Sequence, residues 1–148
     1  MKSLGMRTLQ GVLSNNEGRI LLSNEARGKG WQIRDIRCFP NRIEQLPSAP
    51  APDYNAIRLA TAGGLGTVSF SFEDNRVLGM ASFVAGNHFA TFDDKQLITN
   101  DLFILGKGIA SVGDGDVAYQ VTLEAFEISD DEEIMSIVKE TAQSGTNP

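Results

Sequence analysis

The chain has 148 residues, of which 41% are hydrophobic and 22% charged, a composition typical of one globular domain rather than of a disordered or fibrous protein. No apolar segment approaches the roughly 20 residues of a membrane-spanning helix, and the first residues lack the apolar core of a signal peptide. We therefore expect a protein that is made in a cytoplasm and does not enter a membrane. The only cysteine, Cys38, and the only histidine, His88, exclude a disulfide framework and motifs that need two histidines.

The net charge of −6 is distributed unevenly. Residues 1–42 contain eight basic and three acidic side chains, whereas the other 106 residues contain five basic and sixteen acidic ones. The overall acidity argues against a dedicated nucleic-acid-binding protein. Two interpretations of the asymmetry stay open: the basic segment meets the acidic segment of a neighbouring copy, or the two neutralise each other within one monomer.

Alternation of apolar and polar residues with period two predicts antiparallel β-structure along most of the chain. In the first part, Thr8–Leu13 and Arg19–Ser23 flank a turn rich in Asn and Gly, which predicts a hairpin. The next predicted strand is Trp31–Phe39, with a bulge at Asp35–Ile36 where the alternation shifts. Pro40 ends this strand because it lacks the backbone N–H that a sheet needs.

Residues 40–54 hold four of the five prolines and predict an extended surface crossover. Beyond it, Val68–Phe72 and Val77–Ala85 predict a second hairpin. Shorter predicted strands follow at Phe89–Phe92, Leu97–Ile98 and Leu102–Leu105.

The last predicted strand is Val117–Glu124, in which valine, tyrosine and leucine alternate with polar residues. Ser129–Glu132 has the spacing of a capping box, which predicts a C-terminal helix over residues 130–143 and a tail over 144–148. The expected fold is therefore a single all-β domain over residues 1–148. It is an antiparallel β-sandwich or jelly-roll-like barrel with one short C-terminal α-helix.

Few residues indicate chemistry. Cys38 and His88 form a nucleophile–base pair only if folding brings them together, and the alternative is a small buried cysteine. The run Gly113–Asp116 offers Asp114 and Asp116 as calcium ligands, although the same residues are typical of a turn between strands. Trp31 or Tyr54 is a candidate stacking platform for a ligand. We expect no catalytic residue and no cofactor.

Four segments carry a resemblance to a known class of proteins: the Trp31–Pro40 strand, the Phe70–Ala81 hairpin, the Asn100–Leu105 strand, and the final Tyr119–Phe126 strand before a helix with an acidic start. Together they resemble small jelly-roll or β-sandwich virion proteins of phages and environmental viruses. The resemblance covers residues 30–143 and implies a structural role in a virion. The chain lacks the arginine-rich arm of RNA-packaging coats, so the resemblance does not imply genome condensation.

The leading hypothesis is a non-enzymatic subunit that assembles with copies of itself, and also with other virion proteins, as a coat or capsid-associated protein. The alternative is a carbohydrate- or ligand-binding β-sandwich that holds calcium. A hydrolase that uses Cys38 or His88 is the third interpretation. The residues expected at the assembly interface are Arg27, Arg34, Arg37, Arg42, Ile134, Ile137 and Val138.

Overall fold

The structure of the protein is a computed structural model that describes residues 2–20, 28–40, 54–64, 76–84, 86–109 and 116–129. Within these ranges the secondary structure is entirely β. The eight strands are β1 Lys2–Leu13, β2 Glu17–Ile20, β3 Lys29–Pro40, β4 Tyr54–Ala60, β5 Val77–Val84, β6 Asn87–Phe92, β7 Leu102–Ile109 and β8 Val117–Glu127.

The strands form two sheets in which every neighbouring pair is antiparallel. The three-stranded sheet has the order β1-β8-β3, and the five-stranded sheet has the order β2-β7-β4-β5-β6. The predicted all-β antiparallel sandwich is thus confirmed. The predicted helix over residues 130–143, the tail over 144–148 and residues 41–53 of the predicted crossover lie outside the described residues.

The core lies between the sheets and is built from the side chains that alternate inward. The three-stranded sheet contributes Ile33, Ile36 and Leu123, and the five-stranded sheet contributes Ile57 and Ile104, all of them fully buried. Removing such aliphatic surface from water is the main favourable term in folding, at about 25 cal/mol per Å². The alternation predicted for the last strand is confirmed, since Val117, Val121 and Leu123 of β8 all lie in this core.

The predicted bulge in β3 is confirmed to within one residue. The register of β3 against β8 shifts between Ile33 and Asp35, which makes Arg34 the extra residue. Because the bulge resets the alternation, Trp31 and Ile33 before it and Cys38 after it all point into the core. As predicted, the strand ends at Pro40.

The predicted hairpin between the first two strands is wrong. β1 pairs with β8 and β2 pairs with β7, so the turn at residues 14–16 carries the chain from one sheet to the other. Asn15 adopts a φ of 55°, and its Oδ1 accepts a hydrogen bond of 3.0 Å from the backbone N–H of Gly108. The turn residues suit a positive φ, as the sequence indicates, but the turn docks on β7 instead of closing a ladder between its own flanking strands.

Candidate functional site

Arg34, one of the residues expected at the assembly interface, is held inside the chain on the outer face of the three-stranded sheet. Its Nε donates to Glu124 Oε1 at 2.7 Å, and its terminal nitrogens donate to the Asp94 carbonyl and to Gln32 Oε1, each at 2.8 Å. The guanidinium also lies 5.7 Å from the centre of the Phe126 ring. These contacts hold the guanidinium against its own sheet, so few of its hydrogen-bond donors are left to pair with a neighbouring copy.

Glu124 links all three strands of this sheet. It lies on the central strand β8, accepts from the Ser3 hydroxyl of β1 and pairs with Arg34 of β3. The Ser3 hydrogen bond, followed by Arg34, lowers the pKa of the Glu124 carboxyl below its usual range, since both favour the charged form. Further along the same face the Thr8 and Thr122 hydroxyls lie 3.2 Å apart. Polar side chains of β1 and β8 on the outer face are therefore hydrogen-bonded to one another.

A second contact between the basic and acidic segments lies on the five-stranded sheet. Arg19 of β2 pairs with Asp101 and places its guanidinium 5.7 Å from the centre of the Phe103 ring. This pair and the pair of Arg34 with Glu124 show that basic and acidic segments neutralise each other within the monomer at these positions. Pairing between copies stays a prediction.

Arg37 differs from Arg34 in exposure. Its side chain is 64% exposed, and its Nε donates at 2.8 Å to Asp35 on the same strand. Arg37 therefore remains accessible to a neighbour, with a local pair worth little at such exposure. The other residues expected at the interface lie outside the described residues: Arg27, Arg42, Ile134, Ile137 and Val138.

The candidate nucleophile and base are in different surroundings. Cys38 is buried between the sheets, donates to the Asn55 carbonyl at 3.5 Å and has its thiol pKa raised to about 12 by burial. A thiol in such a site is hardly ever a thiolate at neutral pH. His88 is exposed on the edge strand β6 of the other sheet. The interpretation of Cys38 as a small buried side chain is confirmed.

The residues considered for ligand or metal binding are not brought together by the described structure. Trp31 is only 4% exposed and its backbone exchanges two hydrogen bonds with Ile98, so it packs in the core and cannot serve as a stacking platform. Asp116 lies just before β8, whereas Asp114 and the side chain of Tyr54 are outside the described residues. Among the residues that the structure describes, no three His, Cys, Asp or Glu side chains are grouped so as to hold a metal ion.

An open groove of about 310 Å³ crosses the outer face of the three-stranded sheet near the end of β1. Ala118 forms its floor, Val12 and Phe39 form its sides, and the amides of Gln10 and Gln120 close one end. These two amides are hydrogen-bonded to each other at 3.3 Å. The groove exists because alanine is flanked by two larger side chains in register.

Sequence reasoning missed the most exposed apolar feature of this sheet, the edge strand β1. Leu4, Met6 and Val12 are 47%, 63% and 49% exposed, and every residue from Lys2 to Thr8 is exposed. In the described part of the chain, β1 is hydrogen-bonded to β8 along one edge and no strand lies along the other. The predicted strand began only at Thr8, although Leu4, Met6 and Thr8 at even positions already had a strand's spacing.

Comparisons with protein-family models, with curated proteins and with solved structures each returned no significant match. The described residues also contain no helix of the length and apolar character that crossing a membrane requires.

Proposed function

We propose that this protein is a non-enzymatic structural subunit that assembles with copies of itself, as a coat or capsid-associated protein of a virion. The observation that carries the proposal is β1, a twelve-residue edge strand with exposed Leu4, Met6 and Val12 and no strand along its outer edge in the described residues. A long sheet edge with unpaired backbone N–H and C=O groups is a template for pairing with a strand of another chain.

The strand order supports a jelly roll in particular. In that fold the chain forms a long antiparallel ribbon, in which the first strand pairs with the last and the second with the last but one, and the ribbon then rolls into two sheets. Here β1 pairs with β8, β2 with β7 and β4 with β5. The bridge from Trp31 to Ile98 lies where the remaining pair of the ribbon belongs, beside β3. Jelly rolls are common among viral capsid proteins and lectins.

The non-enzymatic part of the proposal is supported by the surroundings of the two candidate catalytic side chains. A buried thiol with a pKa near 12 is a poor nucleophile, and its hydrogen bond goes to the Asn55 carbonyl. The proposed partners are copies of the chain and other virion proteins. With its acidic net charge, the protein is not proposed to bind nucleic acid.

The proposal is tested by the size and morphology of the purified protein. Light scattering on a size-exclusion column, over a hundredfold range of concentration and at low and high salt, is expected to show species larger than the monomer. Negative-stain microscopy is expected to show rings, shells or tubes, according to whether the contact closes. A monomer under all of these conditions contradicts the proposal.

A second candidate function is ligand binding, and the groove over Ala118 favours it. An aromatic side wall, Phe39, beside two amides is the mixture of apolar and polar groups that small-molecule sites share. Titration calorimetry with a panel of sugars, with and without calcium, tests it. Heat that Gln120→Ala abolishes would support a site in the groove, and absence of heat with every sugar would reject it.

A further inference from the structure

The edge of β1 along which no described strand lies can accept another strand over a defined stretch only. The register against β8 shifts between Ser3 and Gly5 and is unbroken from Gly5 to Leu13, so the regularly paired part of the strand is Gly5–Leu13. Along a regular antiparallel strand, backbone N–H and C=O groups point alternately to one neighbour and to the other. The groups of Gly5–Leu13 that do not point to β8 therefore point away from the sheet and can bond a second strand.

Symmetry limits how a second copy of β1 can pair with this edge. Two copies related by a two-fold axis form an antiparallel pair in which one residue faces its own symmetry mate. The axis cannot pass between two residue pairs, because hydrogen-bonded and non-hydrogen-bonded pairs alternate along the ladder and the axis would have to interchange them. Residues at equal distances on either side of the axis then face each other by symmetry. The regular stretch Gly5–Leu13 is used in full only when the axis passes through its middle residue, Leu9.

The sequence of β1 is self-complementary about Leu9. On the outer face, Met6 of each copy faces Val12 of the other copy. Each of the two exposed apolar side chains of the regular stretch therefore has an apolar partner, and the Met6–Val12 contact occurs twice in the dimer. Thr8 faces Gln10, and Arg7 faces Gly11 rather than another cation. An axis at Arg7 would oppose two like charges, and an axis at Thr8 would place Met6 against Gln10.

We propose that β1 pairs antiparallel with β1 of a second copy about a two-fold axis at Leu9, which joins two three-stranded sheets into one continuous six-stranded sheet. The inference rests on the proposed function and specifies its interface. The new contact adds main-chain hydrogen bonds along Gly5–Leu13 and four cross-strand contacts between apolar or polar side chains on the outer face.

The test is a pair of double variants in the full chain. M6K/V12K places lysine opposite lysine at both symmetry-related positions, whereas M6K/V12E places lysine opposite glutamate. Within one copy, positions 6 and 12 are about 20 Å apart along the strand, so this charge pair can form only between copies. Both native side chains are at least 49% exposed, and the variants are expected to keep the wild-type far-UV circular dichroism spectrum.

The wild type and M6K/V12E are expected to dimerise with dissociation constants that agree within about threefold, and M6K/V12K with one at least about tenfold higher. Equal dissociation constants for the two double variants would overturn the β1 interface while leaving self-assembly intact. A wild type that is monomeric throughout would overturn both the interface and the proposed function.

A cysteine cross-link tests the position of the axis independently of charge. In a Cys38→Ala background, Leu9→Cys is expected to form a disulfide-linked dimer on mild oxidation, because the two sulfurs face each other across the axis. Thr91→Cys on the edge strand β6 is the matched control and is expected to remain monomeric. Equal cross-linking at both positions would overturn the assignment of the axis.

Discussion

The outer faces of the two sheets differ in burial. In the five-stranded sheet, the outward-facing side chains of Arg58 on β4 and Leu105 on β7 are only 3% exposed. In the three-stranded sheet, the outward-facing Met6, Thr8 and Gln10 of β1 are all exposed. The five-stranded sheet is thus buried on both faces at Arg58 and Leu105, whereas in the three-stranded sheet the outer face is exposed along the edge strand β1. The difference places the surface that can meet another molecule at β1.

A matched pair of leucine truncations tests most directly whether the outer faces of the two sheets differ in burial. Leu105→Ala, on the outer face of the five-stranded sheet, is expected to lower the free energy of unfolding by about 2–5 kcal/mol, since it leaves a cavity in a buried site. Leu4→Ala in β1 is expected to cost less than about 0.5 kcal/mol. Urea unfolding followed by tryptophan fluorescence measures both, and equal costs would refute the difference between the faces.

At Gly30 the outer face of the three-stranded sheet is covered by the side chain of Leu97. A Cβ at this position would lie 2.5 Å from the Leu97 Cδ1 and 2.8 Å from its Cγ. Gly30→Ala is therefore expected to destabilise the protein by about 1–3 kcal/mol. In a double-mutant cycle, Leu97→Ala should relieve most of the clash, so that the double variant is less destabilised than the sum of the two single ones. Strict additivity would show that Leu97 does not cover Gly30.

Asn15 contributes to the stability of the turn between the two sheets in two ways, through its backbone conformation and through its hydrogen bond, and two substitutions separate them. Asn15→Ala loses the hydrogen bond from Gly108 and forces alanine to a φ of 55°, so we expect a loss of about 1–2 kcal/mol. Asn15→Gly keeps the conformation accessible and should lose about 1 kcal/mol or less. If glycine proves more harmful than alanine in thermal unfolding, the left-handed conformation is not what the turn requires.

The smallest effect on stability is expected at Glu124, in the hydrogen-bonded network on the outer face of the three-stranded sheet. The pKa of Glu124 is lowered in the folded state, so its ionised carboxylate stabilises the fold above the unfolded pKa of about 4.3. That contribution is lost as the pH falls through the lower folded pKa. The stability difference between wild type and Glu124→Gln, from urea unfolding between pH 2.5 and 7, should therefore shrink on acidification. A difference that is constant or grows would contradict the network, and Ser3→Ala should reduce its pH dependence.

Much of the local architecture was predictable because it depends on neighbouring residues. The shift in alternation at Asp35–Ile36 predicted the bulge, and Pro40 predicted the end of β3. The burial of Cys38 follows from its alternation with Arg37 on a strand that has one face toward the core.

The assembly residues were less predictable. Arg34 was predicted at the interface because it lies in the basic segment. Its pairing with Glu124 was not predictable from neighbouring residues, since the two residues are 90 positions apart in the sequence. The strand β1 was predicted only from Thr8 because Lys2, Ser3 and Gly5 interrupt the apolar pattern, and nothing local shows which edge of a strand is free. The resemblance to virion proteins, which rests on individual strand and hairpin segments of the sequence, stays a prediction.

The inner faces of the strands follow from local sequence, because alternation and the backbone limits of proline, glycine and asparagine act over a few residues. The choice of β8 rather than β2 as the partner of β1, from Lys2 opposite Glu127 to Leu13 opposite Val117, is made only in the complete fold. Partner choice depends on closing the whole core between two sheets, and among the described strands this long-range condition gives β1 a partner along one edge only.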